Sequence, residues 1–240
     1  MNDQTVREIP ILFSGQMVNA IRAGRKTVTR RVVDLRHVLT PDQKKIGFEQ
    51  CNDPAYFRRS LLVKGVPRLT VPVRHPLDGH LPWDACDGNC EYARWSIGDR
   101  LWVRESCWLR PDRTRKMLRE GADTWPPVIY AADQTESDRE WTKEHGWIRR
   151  NSIHMPRVAC RIVLEVEDVG LQRLHEISEE DAQAEGFDGL RHVPEVGGWL
   201  DPPSFQFRRL WQTLNADRGS PWDSNPYVWR LQFKVVEGLA

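Results

Sequence analysis

The chain has no run of the roughly 20 apolar residues that a helix needs to cross a bilayer. Its start, Met1-Asn2-Asp3-Gln4, lacks the basic and apolar regions of a signal peptide. A cytoplasmic protein without a membrane partner is therefore expected. Neither charge sign is in excess: 35 Lys and Arg face 34 Asp and Glu, a net charge of +1. This balance argues against a histone-like binder and an acidic tail protein, so any nucleic-acid role must rest on local patches. The five cysteines, Cys51, Cys86, Cys90, Cys107 and Cys160, are odd in number and unevenly spaced, unlike a secreted disulfide framework. Reduced thiols are expected. Walker-type and dinucleotide-binding glycine patterns are both missing, as is a regular βαβ alternation, so no cofactor is expected. Cys86 and Cys90 form a C-x3-C pair that could draw on Cys51, His75 or His80. No second tight pair completes a tetrahedral set, and no metal is expected.

What the chain does have is eleven tryptophans, several beside arginine or proline, as in Trp102-Val103-Arg104, Pro221-Trp222 and Trp229-Arg230. Core and rim packing accounts for most of them, and Trp102 is a candidate base-stacking surface. The pattern along the chain begins with the apolar run Pro10 to Phe13, a strand, followed by Ser14 as N-cap of a helix. That helix places Met17, Ala20 and Ile21 on one face and stops at Gly24. Prolines at 41, 54, 67, 72, 76 and 82 break residues 35 to 95 into an insertion of short strands and loops. Arg100 to Arg104 alternates as a strand after the Gly98-Asp99 turn. Residues 111 to 155 form a second insertion, with Val128 to Ala131 its one clear strand. Cys160 to Val169 alternates again, with Ile162, Leu164 and Val166 on one face. Ser178-Glu179-Glu180-Asp181 has capping-box spacing before a short helix ending at Gly186. Phe207, Leu210, Trp211 and Leu214 form a helical stripe, and Tyr227 to Val235 closes the chain as a strand. The order fits an α+β domain built around a small barrel-like sheet.

The densest chemical feature is Gly24-Arg25-Lys26-Thr27-Val28-Thr29-Arg30-Arg31, a basic loop where the first helix ends. By itself it fits an anion or nucleotide site, or a solvated loop in which Thr29 caps a turn. This segment resembles the G-x-K-x-x-x-x-R signature of ASCH domains, relatives of the PUA fold, with Gly24, Lys26 and Arg31 at the fixed positions. Gly98-Asp99-Arg100-Leu101 is similar to that family's G-D-x-L strand, Ile177 to Phe187 to its acidic helix, and Tyr227 to Lys234 to its closing strand. The layout resembles the longer ASCH proteins of phages and prophages, in which insertions enlarge a PUA-like mixed β-barrel with flanking helices.

One branch of the family, the N4-acetylcytidine amidohydrolases, implies a hydrolase site. Lys26 would act as base, Thr29 as nucleophile and Glu185 as proton donor, with Arg25, Arg30, Arg31, Trp102 and Glu105 binding substrate. The same resemblance admits a non-catalytic reader of RNA or modified bases, or a ribonuclease, using this pocket. The partner is thus a modified nucleoside or RNA. Chemically, a threonine hydroxyl needs a nearby base, and a lysine serves only where burial or neighbouring cations lower its pKa. Arg25, Arg30 and Arg31 would supply that pressure, and a carboxylic acid would protonate the leaving amine. Glu179, Glu180 and Asp181 compete with Glu185 for the acid role. Glu105 has an alternative as a strand-end ion pair with Arg104 or Arg110. His154 reads as a structural or rim residue.

Overall fold

The computed structural model describes residues 6–33, 93–110, 128–188 and 201–237 in full. Residues 49–50, 58–63, 66–71, 73–74, 91–92, 192–193 and 198–199 are described as backbone strands. In chain order the strands are β1 Glu8–Leu12, β2 Val28–Val32, β3 Glu49–Gln50, β4 Arg58–Val63, β5 Val66–Val71, β6 Val73–Arg74, β7 Glu91–Tyr92 and β8 Arg100–Arg104. They continue with β9 Cys107–Leu109, β10 Ile129–Tyr130, β11 Ile148–Arg150, β12 Val163–Arg173, β13 His192–Val193, β14 Gly198–Trp199 and β15 Tyr227–Glu237. The α-helices are α1 Gly15–Arg22, α2 Glu136–Glu144, α3 Glu179–Ala184 and α4 Pro203–Asn215.

The 11-residue strands β12 and β15 pair antiparallel and form the middle of a five-stranded sheet ordered β1-β8-β12-β15-β2. Only β1 and β8 run parallel. Alternation explains the buried face: Leu101 and Val103 of β8, Leu164 and Val166 of β12, and Leu231 and Phe233 of β15 are all almost fully buried. They join one core with Val18 and Ile21 of α1 and with Phe207 and Trp211 of α4. A smaller sheet, β10-β9-β11, covers a second cluster of Cys107, Leu109, Met155 and Ala159.

The mixed α+β class is as expected, but the barrel does not close. Among the described residues the sheet keeps two free edges, β1 and β2. They are bridged by a side chain, because the Arg31 guanidinium of β2 donates to the Leu12 carbonyl at the end of β1 at 2.8 Å. The basic loop is also corrected: Val28 to Val32 is edge strand β2, paired with β15 from Val28↔Gln232 to Val32↔Val228. Hydrogen bonding to β15 turns a run that reads as solvated into sheet. Leu214, placed in the buried helical stripe, is 48% exposed, because the stripe of α4 ends on Trp211.

Helix α2 and strand β11 lie within the second insertion, where only Val128 to Ala131 read as a strand. Helix α2 buries only Thr142 and so has no apolar stripe to betray it. Its signal is the capping box from Thr135 to Asp138. The C-x3-C pair Cys86 and Cys90, with Cys51, His75 and His80, lies outside the described residues.

Candidate functional site: a buried lysine-glutamate-arginine cluster

The site begins where α1 unwinds. Gly24 takes a left-handed φ of +70°, and the amides of both Arg25 and Lys26 donate to the Ala20 carbonyl, at 2.9 and 3.1 Å. The chain then meets the end of α3. Thr27 N donates to the Ala184 carbonyl at 2.8 Å, and Lys26 and Glu185 form an isolated antiparallel bridge. Glu185 is the C-cap of α3, and Gly186 follows at φ +98°. A Cβ at Gly186 would stand 2.8 Å from Ala20 Cβ and 3.1 Å from Lys26 Cβ, so only glycine allows α3 this close to α1 and Lys26.

This packing buries part of the basic segment together with Glu185. None of Lys26, Thr29, Arg30 and Glu185 is more than 4% exposed. Lys26 Nζ donates to the Val28 carbonyl at 2.8 Å, the Glu185 carbonyl at 2.8 Å and Glu185 Oε2 at 2.7 Å, which satisfies all three ammonium protons. Arg30 Nη1 reaches the other oxygen of the same carboxylate at 3.1 Å, and its Nη2 reaches Asp181 Oδ2 at 2.5 Å. Arg230 extends the network, 3.5 Å from Asp181 and 3.8 Å from Asp168. Two cations on one buried carboxylate compensate what would otherwise be a severe desolvation cost.

Burial pushes the Lys26 ammonium below its ordinary pKa; the Glu185 charge opposes this shift, and Arg31 and Arg30 add to it. Phe13 sits between two of these cations, with Lys26 Nζ 5.5 Å and Arg31 Cζ 5.3 Å from its ring centroid. Phe13 had read only as the end of a strand, and nothing in its local pattern marks it for this place. Asp181 had been named as an alternative acid and proves to be the second anion of the network. Of the other two candidates, Glu179 bonds the backbone amide of Ser204 and its hydroxyl, whereas Glu180 stays exposed.

The remaining residues are placed as follows. Thr29 lies opposite Leu231, and Arg30 lies opposite Arg230, so neighbours in sequence address opposite faces of β2. Among the described residues no hydrogen bond joins the Thr29 hydroxyl to Lys26 or Glu185. Arg25 turns outward to Asp188 at 2.6 Å and lines a cleft of about 610 Å³ with Gln16, Gly186, Asp201, Gln206 and Arg209. Lys26 and Glu185 lie behind Gly186, outside that lining. Trp102 and Glu105 are not brought to the cluster, since β12 and β15 separate β8 from β2.

Glu105 is 1% exposed and is gripped by Arg161, Nε to Oε1 at 2.8 Å and Nη2 to Oε2 at 2.9 Å. Arg161 also binds Asp133, which in turn pairs with Arg22 at 2.6 Å. Its partner is therefore neither Arg104 nor Arg110, the pair suggested by strand position. Burial raises the Glu105 carboxyl above its ordinary value, with Arg161 opposing. Burial likewise raises the Cys107 thiol to about 11. Among the described residues no three His, Cys, Asp or Glu side chains converge as a metal-binding set.

The fold and site thus define a mixed α+β protein with a buried Lys26-Glu185-Arg30 cluster at a helix end. Comparison with protein-family models, with curated proteins and with solved structures gives no match.

Proposed function

We propose that the buried cluster is the catalytic centre of an amidohydrolase that deacylates a modified nucleoside such as N4-acetylcytidine. The observation that carries this reading is the 2.7 Å hydrogen bond from Lys26 Nζ to Glu185 Oε2 in a water-poor site, three residues before Thr29. Transfer of one proton along that bond leaves a neutral amine beside a carboxylic acid. Desolvation lowers the Lys26 pKa and so eases loss of the ammonium proton. In this reading substrate binding brings the Thr29 hydroxyl, which among the described residues makes no hydrogen bond to Lys26, within reach of the neutral amine. The amine takes its proton while Oγ attacks the acyl carbon. Glu185 returns its proton to the departing amine nitrogen as the C–N bond breaks. A water molecule hydrolyses the resulting threonyl ester, giving its proton to the Glu185 carboxylate, while Lys26 restores the Thr29 hydroxyl.

Arg30 positions the Glu185 carboxylate, and Arg31, beside Phe13, offers a donor to the developing oxyanion. The test is acetate release from N4-acetylcytidine. Wild-type protein should turn over, while Lys26→Ala and Thr29→Ala should each fall by at least about a hundredfold, the scale of a lost general base or nucleophile. No turnover by wild-type protein at micromolar concentration overturns the assignment.

A further inference from the structure

A second chemical feature lies on the opposite side of the sheet from the core. The outward face of β8 carries Arg100, Trp102 and Arg104, spaced about 6.7 Å apart as alternate strand residues. The segment 145–158 lies against this face. Arg157 Cζ stands 6.0 Å from the Trp102 ring centroid and Arg104 Cζ 5.2 Å from it, and the Arg104 guanidinium donates to the Ile153 carbonyl. Residues 145–158 contain Arg149, Arg150, Arg157 and two histidines, with no acidic residue. Strand β11 is exposed along its whole length, and no ion pair holds Arg149 or Arg150 among the described residues. Ile153 and Val158, in the same segment, are 54% and 53% exposed.

We propose that this face, rather than the Lys26 cluster, binds single-stranded nucleic acid. The argument is charge complementarity joined to exposed apolar surface. Arg149 and Arg150, on alternate faces of the exposed edge strand β11, are free to meet phosphates on either side of it. The Trp102 ring holds the Arg104 and Arg157 guanidiniums in place, lowering the entropy they lose on contact. The acids facing them are Glu8, on Arg157 at 2.8 Å, and Glu237, on Arg100 at 3.4 Å. Both pairs are solvent-exposed and easily exchanged for a phosphate. Unpaired bases can lie on Ile153 and Val158, which a duplex would keep out of reach. Trp102 then serves as a support for arginines and not as the base platform itself. Helix α2, which precedes this segment in the chain, carries Glu136, Asp138, Glu140 and Glu144 against Arg139 and Lys143.

The experiment is fluorescence anisotropy of the full chain with a labelled 12-nucleotide single-stranded oligonucleotide across a salt series. The expected slope of log affinity against log salt is about −2, the value for three neutralised phosphates on a single strand. Arg149→Glu with Arg150→Glu should weaken binding by about tenfold or more, while Arg208→Glu, an exposed charge reversal on α4, leaves it unchanged. Unchanged binding in the double variant, equal loss in Arg208→Glu, or binding to phosphatidylserine vesicles in place of the oligonucleotide would each overturn the proposal. Acetate release does not depend on this surface, so either reading can fail alone.

Discussion

At the scale of single residues, two buried carboxylates show how the same side chain is stabilised in different ways. Glu185 sits between two buried cations, Lys26 and Arg30, whereas Glu105 depends on one bidentate partner, Arg161, itself only 18% exposed. Removing one member of such a pair strands the other in a low-dielectric setting. Arg161→Ala should therefore cost about 3 kcal/mol at pH 7, read by urea unfolding. The pH dependence has a definite sign. The Glu105 carboxyl is raised above its usual 4.5, so the folded state holds its proton more tightly than the unfolded chain. Stability linked to this group is present below 4.5 and lost as pH rises through the folded value. In Arg161→Ala, with the opposing charge gone, the deficit should shrink on acidification toward pH 4.5; a deficit that grew instead would contradict the assignment.

At the scale of elements, the site depends on how α1, β2 and α3 meet at one point. The close approach is made at Gly186, where both a left-handed φ and the absence of a side chain are required. Gly186→Ala should destabilise by about 2 kcal/mol or more, through backbone strain and the clash with Ala20. Thermal unfolding measures this directly, and a neutral result would mean that α3 can shift away from α1. Much of the element level was legible in the sequence. Strand β8 is found at Arg100–Arg104 as read, and α1 starts at its Ser14 cap, whose hydroxyl accepts from Met17 N. These succeeded because apolar periodicity and capping are local signals. Strand β2 was misread because pairing with β15, not its own residues, makes it a strand. Helix α2 was missed because, with Thr142 alone buried, it leaves no apolar stripe to read.

At the scale of the whole molecule, the Lys26-Glu185 contact joins residues 159 apart and ties the edge of the sheet to α3. If the tie works as a pair, its members should be coupled. Glu185→Leu alone should cost about 3–5 kcal/mol, whereas adding Lys26→Met should recover a substantial part of it, since the apolar pair strands no ammonium and Arg30 keeps Asp181 as its partner. Additive losses in that double-mutant cycle would show that the two residues act independently. The sequence by itself determined the mixed α+β class, the main strands and the chemical types concentrated at Gly24 to Arg31, because these follow from periodicity, turn residues and composition. Lys26 and Glu185 were named together only through the family resemblance. Only the tertiary structure decided that both are buried, that Arg30 joins them through the same carboxylate while Arg25 faces outward, and that Trp102 and Glu105 belong elsewhere. The reason is that desolvation and charge pairing are properties of the space between elements. A residue's local sequence does not set which element packs against it, and here the approach of α3 at Gly186 does.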